Sequence, residues 1–355
     1  MLKSKTSYNV IGVMSGTSLD GIDVCFSNFS YNNKGWKFLI RKAETIYYDN
    51  FWITKLQDAH NLSKHKLEEL DLEYTSNLSE IILHFISKNQ INDIDFISSH
   101  GHTIFHEPNK NITYQIGNRV ELNQLTKIPV VCDFRVQDVR LGGQGAPLVP
   151  VGDLLLFKEY THCINLGGFS NISVKSNNNI IAYDICPVNI VLNKYSRLIG
   201  YDYDSSGKIS QSGKINNDLL NSLNEISFYN LEHPKSLGVE WLENKLFPII
   251  DSFEISIEDI LRTVVEHIAI QISIHLKGNN LKILATGGGV KNKFLMHRIK
   301  KVSKQSFETI SEDITDFKEA LIFGFLGVLK IRNENNCLKS VTGAYKDHSS
   351  GIIFE

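Results

Sequence analysis

Cysteine is scarce in this chain, and the cysteines that occur are far apart. The 355 residues contain five cysteines and no CxxC pair. They are Cys25, Cys132, Cys163, Cys186 and Cys337. An odd, scattered set favours reduced thiols in a cytoplasmic protein over a disulfide framework. Asn-x-Ser/Thr sites such as the one at Asn61 are therefore interpreted as chance occurrences in an Asn-rich chain.

A large excess of charge and a long apolar run are also missing. The formal net charge is −2, which argues against a protein that binds nucleic acid or a membrane surface electrostatically. The apolar stretch after Lys5 is interrupted at Gly12 and Ser15, so neither a signal peptide nor a membrane span is expected. Hydrophobic residues make up 42% of the chain, as in globular proteins with a core, and the length predicts two domains.

Two common nucleotide-binding signatures are absent. The chain contains neither GxxxxGK[ST] nor GxGxxG. P-loop and dinucleotide-binding Rossmann folds are therefore disfavoured.

The first motif that is present is a polar turn between two apolar runs near the N terminus. Val10 to Met14 and Ile22 to Phe26 predict a β-hairpin. Glycine N–H groups in its turn can converge on an anion, and the carboxylates can hold a hydrated cation beside it. The phosphates and Mg²⁺ of a nucleotide require this chemistry, although an ordinary hairpin with a polar turn is the alternative. The candidate cofactor-binding residues are Gly16, Thr17, Ser18, Leu19, Asp20, Gly21, Ile22 and Asp23, with Asp20 and Asp23 as candidate metal ligands.

The hairpin pattern recurs in the second half of the chain. Residues 162–174 again predict a strand, a polar turn and a strand, with Gly167 and Gly168 in the turn. Two such hairpins indicate a duplicated α/β architecture with the ligand between the halves. The glycine-rich segment 141–150 is the candidate domain junction.

A glycine triplet follows a predicted strand at 282–285 and precedes a helix that begins near Lys293. A helix N-terminus preceded by bare backbone suits a nucleotide, although such triplets also occur in any tight turn between a strand and a helix. The candidates to line the adenine or ribose are Gly287, Gly288 and Gly289, with Asn292 available for a polar contact.

Helical spacing of apolar residues predicts three long helices. One is expected within residues 63–89, and one after a capping-box-like start at Ser256. A last helix, at about 316–331, carries Glu319 near its start. There Glu319 can hydrogen-bond sugar hydroxyls, or act only as a first-turn acid that favours the helix dipole.

A predicted strand at 94–99 ends in a cluster of histidines: His100, His102 and His106. Open α/β sheets bind ligands at the carboxyl ends of their strands. Three histidines could bind zinc, with Glu107 or Asp133 completing the site. Contact with a sugar, or a surface or structural role, are the alternatives.

A second predicted strand, at 128–132, leads into Arg135 and Asp138. These two residues could orient a substrate, because a guanidinium matches a carboxylate in bidentate geometry. A structural salt bridge between them is the alternative.

The ordered set of motifs resembles one family, the anhydro-N-acetylmuramic acid kinases. The matching segments are GVMSGTSLDGIDV, SHGHTIFHEP, YQIGN, GQGAPLVP, INLGGFSNI, YDICPVNIVLN, SGKIN, HPKSLGVEWL, ATGGGVKNKFLMHRI, KEALIFGFLG and SVTGA. They cover almost the whole chain in order. The combination of GTSxDGxD, GQGAPLVP and NxGGxSNI is specific, unlike any of these motifs alone.

The resemblance implies an α/β protein with a two-lobed actin-like ATPase (ribonuclease H-like) fold and an active site in the interdomain cleft. Residues 1–135 would form the N-terminal domain, joined by residues 335–355, and residues 136–334 would form the C-terminal domain. The implied activity requires ATP and Mg²⁺. It opens the 1,6-anhydro bond of anhydro-N-acetylmuramic acid with water and phosphorylates O6, giving N-acetylmuramic acid 6-phosphate. The setting would be cytoplasmic peptidoglycan recycling by a homodimer, with neither a nucleic acid nor a membrane as partner.

The resemblance also identifies Asp184 as the expected catalytic residue. Opening an anhydro sugar with inversion requires a carboxylate that deprotonates water; the alternative is that Asp184 only caps a strand. An arginine suits the lactyl carboxylate of a muramic acid. The expected substrate-binding residues are His100, His102, Arg135, Asp138, Asn189 and Glu319.

Two departures from the family pattern have consequences for the site. Ile185 and Cys186 stand where many members have Thr-Gly, which predicts a different pocket floor and motivates a rival function, a sugar- or nucleotide-binding regulator with a degraded site. Met14 stands where the wider superfamily often has an aspartate, so metal binding must rest on other carboxylates. A zinc hydrolase built on the histidine cluster is a third possibility.

Overall fold

The computed structural model describes residues 5–16, 19–176, 179–233, 235–308 and 310–355. Its strands are β1 (Ser7–Ser15), β2 (Gly21–Asn32), β3 (Gly35–Tyr47), β4 (Phe96–Glu107), β5 (Ile112–Ile116), β6 (Val130–Cys132), β7 (His162–Leu166), β8 (Phe169–Ser176), β9 (Asn179–Pro187), β10 (Ile283–Thr286) and β11 (Ile352–Phe354). Its helices are α1 (Asn50–Asp58), α2 (Lys64–Lys88), α3 (Val120–Thr126), α4 (Val136–Arg140), α5 (Pro150–Leu156), α6 (Asn189–Arg197), α7 (Lys208–Ser212), α8 (Asn217–Asn224), α9 (Val239–Trp241), α10 (Phe247–Asp251), α11 (Ile257–Ile274), α12 (Lys293–Ser303), α13 (Glu312–Ile331) and α14 (Lys339–Thr342). Within the described ranges, no helix has both the length and the apolar character that a membrane crossing requires.

The chain folds into two compact units. Met1–Phe157 together with Phe317–Glu355 form the first, and Lys158–Asp316 form the second. The domain limits expected near residues 136 and 335 stay a prediction. Inside the first unit, α5 and most of α13 pack together. A Cβ on Gly152 would lie 2.6 Å from Ile322 Cγ1, and Asp153 forms a buried ion pair with Lys318.

The first unit is built on a seven-stranded mixed sheet in the order β11-β6-β4-β1-β2-β3, with β5 paired to β4. β1, β2 and β3 form an antiparallel meander, whereas β4 is parallel to both β1 and β6. Alternation along β1 directs Ile11 and Val13 into a hydrophobic core shared with Tyr74 of α2. On the opposite face α13 approaches so closely that a Cβ on Gly12 would lie 2.0 Å from the Ala320 carbonyl oxygen, so only glycine fits there.

The second unit repeats this arrangement on a smaller scale. Its four-stranded sheet has the order β10-β7-β8-β9. β7, β8 and β9 form an antiparallel meander, and β10 is parallel to β7. The core packs α11 against this sheet through residues such as Leu261, Val265 and Ile268. The predicted α/β class and the predicted duplication are therefore confirmed.

Most of the predicted elements are present, with two boundaries that differ. α2 follows Ser63 and α11 follows Ser256, and each serine side chain caps its helix as a hydrogen-bond acceptor. β4 continues to Glu107 because it pairs with β5, so the histidine cluster lies within a strand. α13 begins at Glu312, so Glu319 lies inside the helix and is not a first-turn acid.

The cysteines are internal residues of both units. Cys25, Cys132 and Cys337 belong to the first unit, and Cys163 and Cys186 to the second. All five are free and buried. Burial raises the pKa of the thiols of Cys132, Cys186 and Cys337, so these three are protonated at neutral pH.

Candidate active site

The N-terminal hairpin has the predicted geometry. β1 and β2 pair up to the contact between Ser15 and Ile22, which places the polar residues at the tip. Leu19 has a left-handed backbone with φ 58°, and its N–H donates to Gly16 O over 3.4 Å. A Cβ on Gly21 would lie 2.4 Å from the Ile46 carbonyl oxygen, so glycine is required where the turn passes β3. The candidate residues Thr17 and Ser18 lie outside the described residues.

The two carboxylates of the hairpin have different environments. Asp20 is exposed at the tip. Asp23 is partly buried and accepts a hydrogen bond of 2.6 Å from Thr45 Oγ1 on β3. Mg²⁺ at nucleotide sites typically uses one or two protein carboxylates, with phosphate oxygens and water for the rest. The donors present therefore suit Mg²⁺.

A buried network of hydroxyl and imidazole groups supports the base of this hairpin. Ser15 Oγ lies 2.8 Å from both Tyr48 OH and His102 Nδ1, and Tyr48 OH lies 2.7 Å from Tyr74 OH. Burial lowers the pKa of His102 to about 4 and raises the pKa of Tyr48 to about 12, so both groups are neutral near pH 7. The hydrogen bond with His102 thus fixes the side chain of Ser15. The sequence motifs named His102 but gave no signal for these partners.

His100 and Arg135 form a second cluster within the first unit. Arg135 Nε donates to His100 Nε2 over 2.8 Å. Because a guanidinium can only donate, His100 carries its hydrogen on Nδ1, which lies 2.8 Å from Gly101 O. Burial, followed by the charge of Arg135, lowers the pKa of His100. Burial also lowers the pKa of Arg135 to about 10 while the nearby carboxylate of Glu319 opposes this, so Arg135 stays charged at neutral pH.

Asp138 supports the glycine-rich loop and is fully buried. Its Oδ2 accepts a hydrogen bond of 2.7 Å from Gly145 N, and its Oδ1 accepts one of 2.7 Å from Thr342 Oγ1. Arg135 donates to Gly145 O over 2.6 Å. Arg135 and Asp138 therefore bind the same loop residue: Arg135 contacts the carbonyl of Gly145, and Asp138 contacts the N–H of Gly145. This role is internal to the protein, and the expected contact of Asp138 with substrate stays a prediction.

The histidines of β4 do not converge on one point. His100 packs on Phe323, with ring centroids 4.6 Å apart, whereas His102 lies beside Tyr74 on the other face of the strand, at 6.0 Å. His106 lies 3.2 Å from Thr113 Oγ1 on β5. In the part of the chain that the structure describes, none of the three belongs to a group with metal-ligand spacing. All three histidines occupy even positions, so regular alternation would direct them to one face. The left-handed backbone at Gly101, with φ 75°, and the shift of register between Thr103 and Phe105 interrupt this alternation. The zinc alternative for these histidines is therefore not supported.

The second unit brings its two glycine turns together. β7 and β10 are parallel and end side by side at Asn165 and Thr286. The turns that follow contain Gly167 with Gly168, and Gly287 with Gly288 and Gly289. A Cβ on Gly287 would lie 2.4 Å from Asn165 Oδ1, and one on Gly289 would lie 2.8 Å from Leu166 Cβ. Both strands therefore end at the edge where open sheets bind ligands.

Two of these glycines are not required by packing. The atom nearest to a Cβ on Gly168 would be Ile190 Cβ at 3.9 Å, and the atom nearest to one on Gly288 would be Asn189 Nδ2 at 3.7 Å. The space above both residues is open to a ligand. Asn189 begins α6, and its side chain donates to Leu166 O over 3.1 Å, so it supports the first of the two turns.

Asn292 has a structural role at the start of α12. Its side-chain oxygen accepts a hydrogen bond of 2.9 Å from Leu295 N, which caps the helix. The side chain is buried and lies against Gly207. Its expected contact with a nucleotide stays a prediction.

Asp184 lies on β9 beside a β-bulge. Asn171 of β8 pairs with Asp184 and Ser170 pairs with Cys186, which leaves Ile185 as the extra residue. Bulges often redirect a side chain next to an active site. Asp184 Oδ2 accepts a hydrogen bond of 2.8 Å from Leu237 N. Burial raises the pKa of Asp184 to about 6, and the bond from Leu237 opposes this shift.

The residues next to Asp184 that depart from the family pattern face the core. Ile185 and Cys186 are both 0% exposed and belong to the hydrophobic core of the second unit. The departure therefore changes the packing behind the strand and adds no exposed group to the pocket floor. Sequence reasoning also missed the segment at Lys235 and Leu237. Lys235 O accepts from Asp184 N, and Leu237 N donates to the Asp184 carboxylate from 53 residues away.

Comparisons with known proteins give a consistent family. A family model described as anhydro-N-acetylmuramic acid kinase matches residues 8–355. A protein of that name from Mannheimia succiniciproducens is 36% identical, over 97% of this chain and 98% of that protein. Relatives of the same name from Pasteurella multocida and Haemophilus influenzae are 34% and 32% identical, over 99% and 100% of this chain and 98% and 99% of their own lengths. The chain therefore belongs to the anhydro-N-acetylmuramic acid kinase family.

Proposed function

We propose that this chain is an ATP-dependent kinase that opens 1,6-anhydro-N-acetylmuramic acid with water and phosphorylates the freed O6. The product is N-acetylmuramic acid 6-phosphate. The observation that carries the proposal is the Asp184 carboxylate, whose pKa is raised by burial to about 6. A general base works best when its pKa lies near the operating pH. Membership of the family supports the sugar substrate and the kinase activity.

The proposed reaction couples hydrolysis to phosphoryl transfer. Asp184 takes a proton from water as the water oxygen bonds to the anomeric carbon, and the bond from that carbon to O6 breaks. O6 accepts the γ-phosphoryl group of ATP, ADP leaves, and Asp184 returns its proton to solvent. The charge on the phosphates is neutralised by Mg²⁺, for which Asp20 and Asp23 are the proposed ligands.

We assign the nucleotide contacts to the glycine turns and the N-terminal hairpin. Open space above Gly168 and Gly288 supports an approach of the ligand to bare backbone. The further proposed contacts are Gly16, Thr17, Ser18, Leu19, Gly21, Ile22, Gly167, Gly287, Gly289 and Asn292.

We assign the sugar contacts to Arg135, Asn189 and Glu319. We propose that His100 orients Arg135, because both of its ring nitrogens are engaged within the protein. Arg135 uses Nε–H and one NH1 hydrogen in bonds to His100 and Gly145, and a guanidinium carries five N–H donors. The other donors suit the lactyl carboxylate of a muramic acid. His102 would act indirectly, by bracing Ser15.

The proposal extends to three properties implied by the family resemblance. They are a requirement for Mg²⁺, a homodimeric state and a cytoplasmic role in peptidoglycan recycling. The alternative function, a regulator with a degraded site, is no longer supported, because the residues that suggested it, Ile185 and Cys186, belong to the core.

Turnover in ¹⁸O-labelled water tests the coupled reaction. We expect ATP consumption that depends on the anhydro sugar, with label in the anomeric hydroxyl and none in the oxygen that bridges C6 to phosphorus. Mass spectrometry of the fragmented product, before the anomeric oxygen exchanges with solvent, locates the label. Label in the bridging oxygen would rule out attack at the anomeric carbon. Binding of both ligands without turnover would instead favour the regulator.

A further inference from the structure

Three potential metal ligands meet in the first unit. The ligand atoms of Asp138, Cys337 and His348 all lie within 4.8 Å of one another, and all three residues are buried. A carboxylate, a thiol and an imidazole are each ordinary zinc ligands. The proposed kinase reaction uses neither Cys337 nor His348.

The backbone holds these three residues in place independently of their ligand atoms. Cys337 and His348 form an antiparallel bridge, in which the N–H of each donates to the carbonyl of the other over 3.1 Å. Residues paired in this way present their side chains on the same face. Asp138 is fixed by its bonds from Gly145 and Thr342, and each carboxylate oxygen retains a second lone-pair direction.

The imidazole of His348 gives the second observation. His348 Nδ1 lies 3.2 Å from Lys346 O. A carbonyl can only accept, so Nδ1 carries a hydrogen and, in the neutral ring, Nε2 presents a lone pair. Nε2 is buried and has no hydrogen-bond partner among the described residues, although Asp138 Oδ1 lies 3.5 Å away. A lone pair that faces a carboxylate oxygen is repulsive unless a proton or a metal ion lies between them.

The separation of the two atoms fits a metal ion. Zinc–nitrogen and zinc–oxygen bonds are each about 2.1 Å, so the two ligand atoms on a tetrahedral zinc lie about 3.4 Å apart. A thiolate and a carboxylate also balance the charge of Zn²⁺, which lowers the cost of a buried ion. A carbonyl that fixes the tautomer of a histidine is a common support for a metal ligand.

We propose that Asp138, Cys337 and His348 bind one Zn²⁺, with water as the fourth ligand. The metal replaces the thiol proton of Cys337, which is released to solvent. The site joins the segment between Cys337 and His348 to the loop at Gly145, and Arg135 also bonds to Gly145. The proposed zinc is therefore structural and holds the loop next to Arg135.

Metal analysis of the full chain tests this proposal. The protein is purified without a metal-affinity tag or chelator from cells grown with added zinc. We expect about one zinc per chain after dialysis, because three buried protein ligands hold the ion. Cys337→Ser and His348→Ala should lose this zinc. Cys25→Ser, which changes another buried cysteine of the same unit, should retain it.

Reconstitution with Co²⁺ gives a second readout that does not depend on activity. Co²⁺ bound by a thiolate shows a near-ultraviolet charge-transfer band, which we expect in the wild-type protein and in Cys25→Ser but not in Cys337→Ser. A wild-type protein that neither retains zinc nor develops this band overturns the proposal. A band that persists in Cys337→Ser also overturns it. If Cys337→Ser does not fold, the two wild-type measurements decide.

Discussion

Two opposing effects set the protonation of Asp184. Burial disfavours the carboxylate, whereas the N–H of Leu237 stabilises it, and the result is a pKa of about 6. A group with this pKa is mostly ionised at pH 7, so it can accept a proton. It still holds a proton more strongly than an exposed aspartate, which makes it a better base.

The pKa of Asp184 predicts how the rate depends on pH. The base acts only when ionised, and a raised pKa moves its protonation to higher pH. We expect kcat/KM for the anhydro sugar to fall below a pH of about 6, by about tenfold for each further pH unit. Initial rates between about pH 4.5 and pH 8 measure this limb.

Asp184→Asn is the matched control for the pH dependence. The variant keeps the acceptor for Leu237 N but cannot take a proton, so activity should fall by roughly 10² or more. The remaining activity should lack the acidic limb, and ATP binding should be unchanged. A wild-type rate that stays flat through this range, or full activity in the variant, would remove Asp184 from the role of base.

Single residues of the site differ in how far the sequence could predict them. Asp184 could be named as a candidate base because it lies within a short recognisable segment of the sequence. The role of Asp138 could not, since Thr342 bonds to it from 204 residues away. The link from Ser15 to His102 spans 87 residues and follows no periodicity. Partners of this kind are set by the packing of the sheet.

At the scale of elements, the glycine triplet combines two physical requirements. Gly287 and Gly289 are needed because Asn165 and Leu166, at the end of β7, lie against them, and Gly287 also has φ 87°. Gly288 has neither constraint. The turn itself does not require a glycine at this position, so the missing side chain leaves space for a ligand.

Gly288→Val should therefore weaken nucleotide binding without weakening the fold. The added Cβ would lie no closer than 3.7 Å to any of the protein atoms around it, and the side chain would occupy the space assigned to ATP. We expect KM for ATP to rise by about tenfold or more, the equivalent of about 1.4 kcal/mol. Steady-state kinetics measure the change, with thermal unfolding in parallel.

Gly289→Ala provides the contrast. Its Cβ would lie 2.8 Å from Leu166 Cβ, so this variant should lower the free energy of unfolding by about 1–3 kcal/mol through overpacking. Unaltered KM for ATP in Gly288→Val would show that the turn does not contact the nucleotide.

Helices were predicted well where one apolar face determines the spacing of the hydrophobic residues. α2 and α11 follow serine caps and have apolar faces, so their starts could be read from the sequence. β4 was predicted too short, because its extension depends on pairing with β5, which no local pattern reveals. α13 starts before the predicted residue, at a stretch rich in polar residues.

At the scale of the whole molecule, the same sheet order occurs in both units. Each has an antiparallel meander whose first strand lies beside a parallel strand. The sequence indicated this duplication only through two similar hairpins. The extents of the units depend on packing between α5 and α13, which are far apart in the chain, and so were not accessible from composition.

The buried ion pair between Asp153 and Lys318 should contribute strongly to stability. Both side chains are almost fully buried, and Lys318 Nζ lies 2.6 Å from Asp153 Oδ1. The contact is an ion pair whose angles do not meet those of a hydrogen bond. Removal of one partner leaves an uncompensated charge. We expect Lys318→Met to lower the free energy of unfolding by about 3–5 kcal/mol, as measured by urea denaturation.

The double variant Asp153→Leu with Lys318→Met separates charge from packing. Apolar replacement of both partners is often neutral or stabilising, so the double variant should recover most of the loss. An equal loss in the single and double variants would mean that the pair acts through shape and not through charge.

The burial of every cysteine has a practical consequence for labelling. Native thiols react with maleimides only when the surrounding structure opens, because reagent and solvent must both reach the sulfur. A new cysteine at an exposed position would thus carry a fluorophore without removal of the five native ones. Since each unit has buried thiols of its own, mass spectrometry of slowly labelled peptides would time the opening of each unit separately.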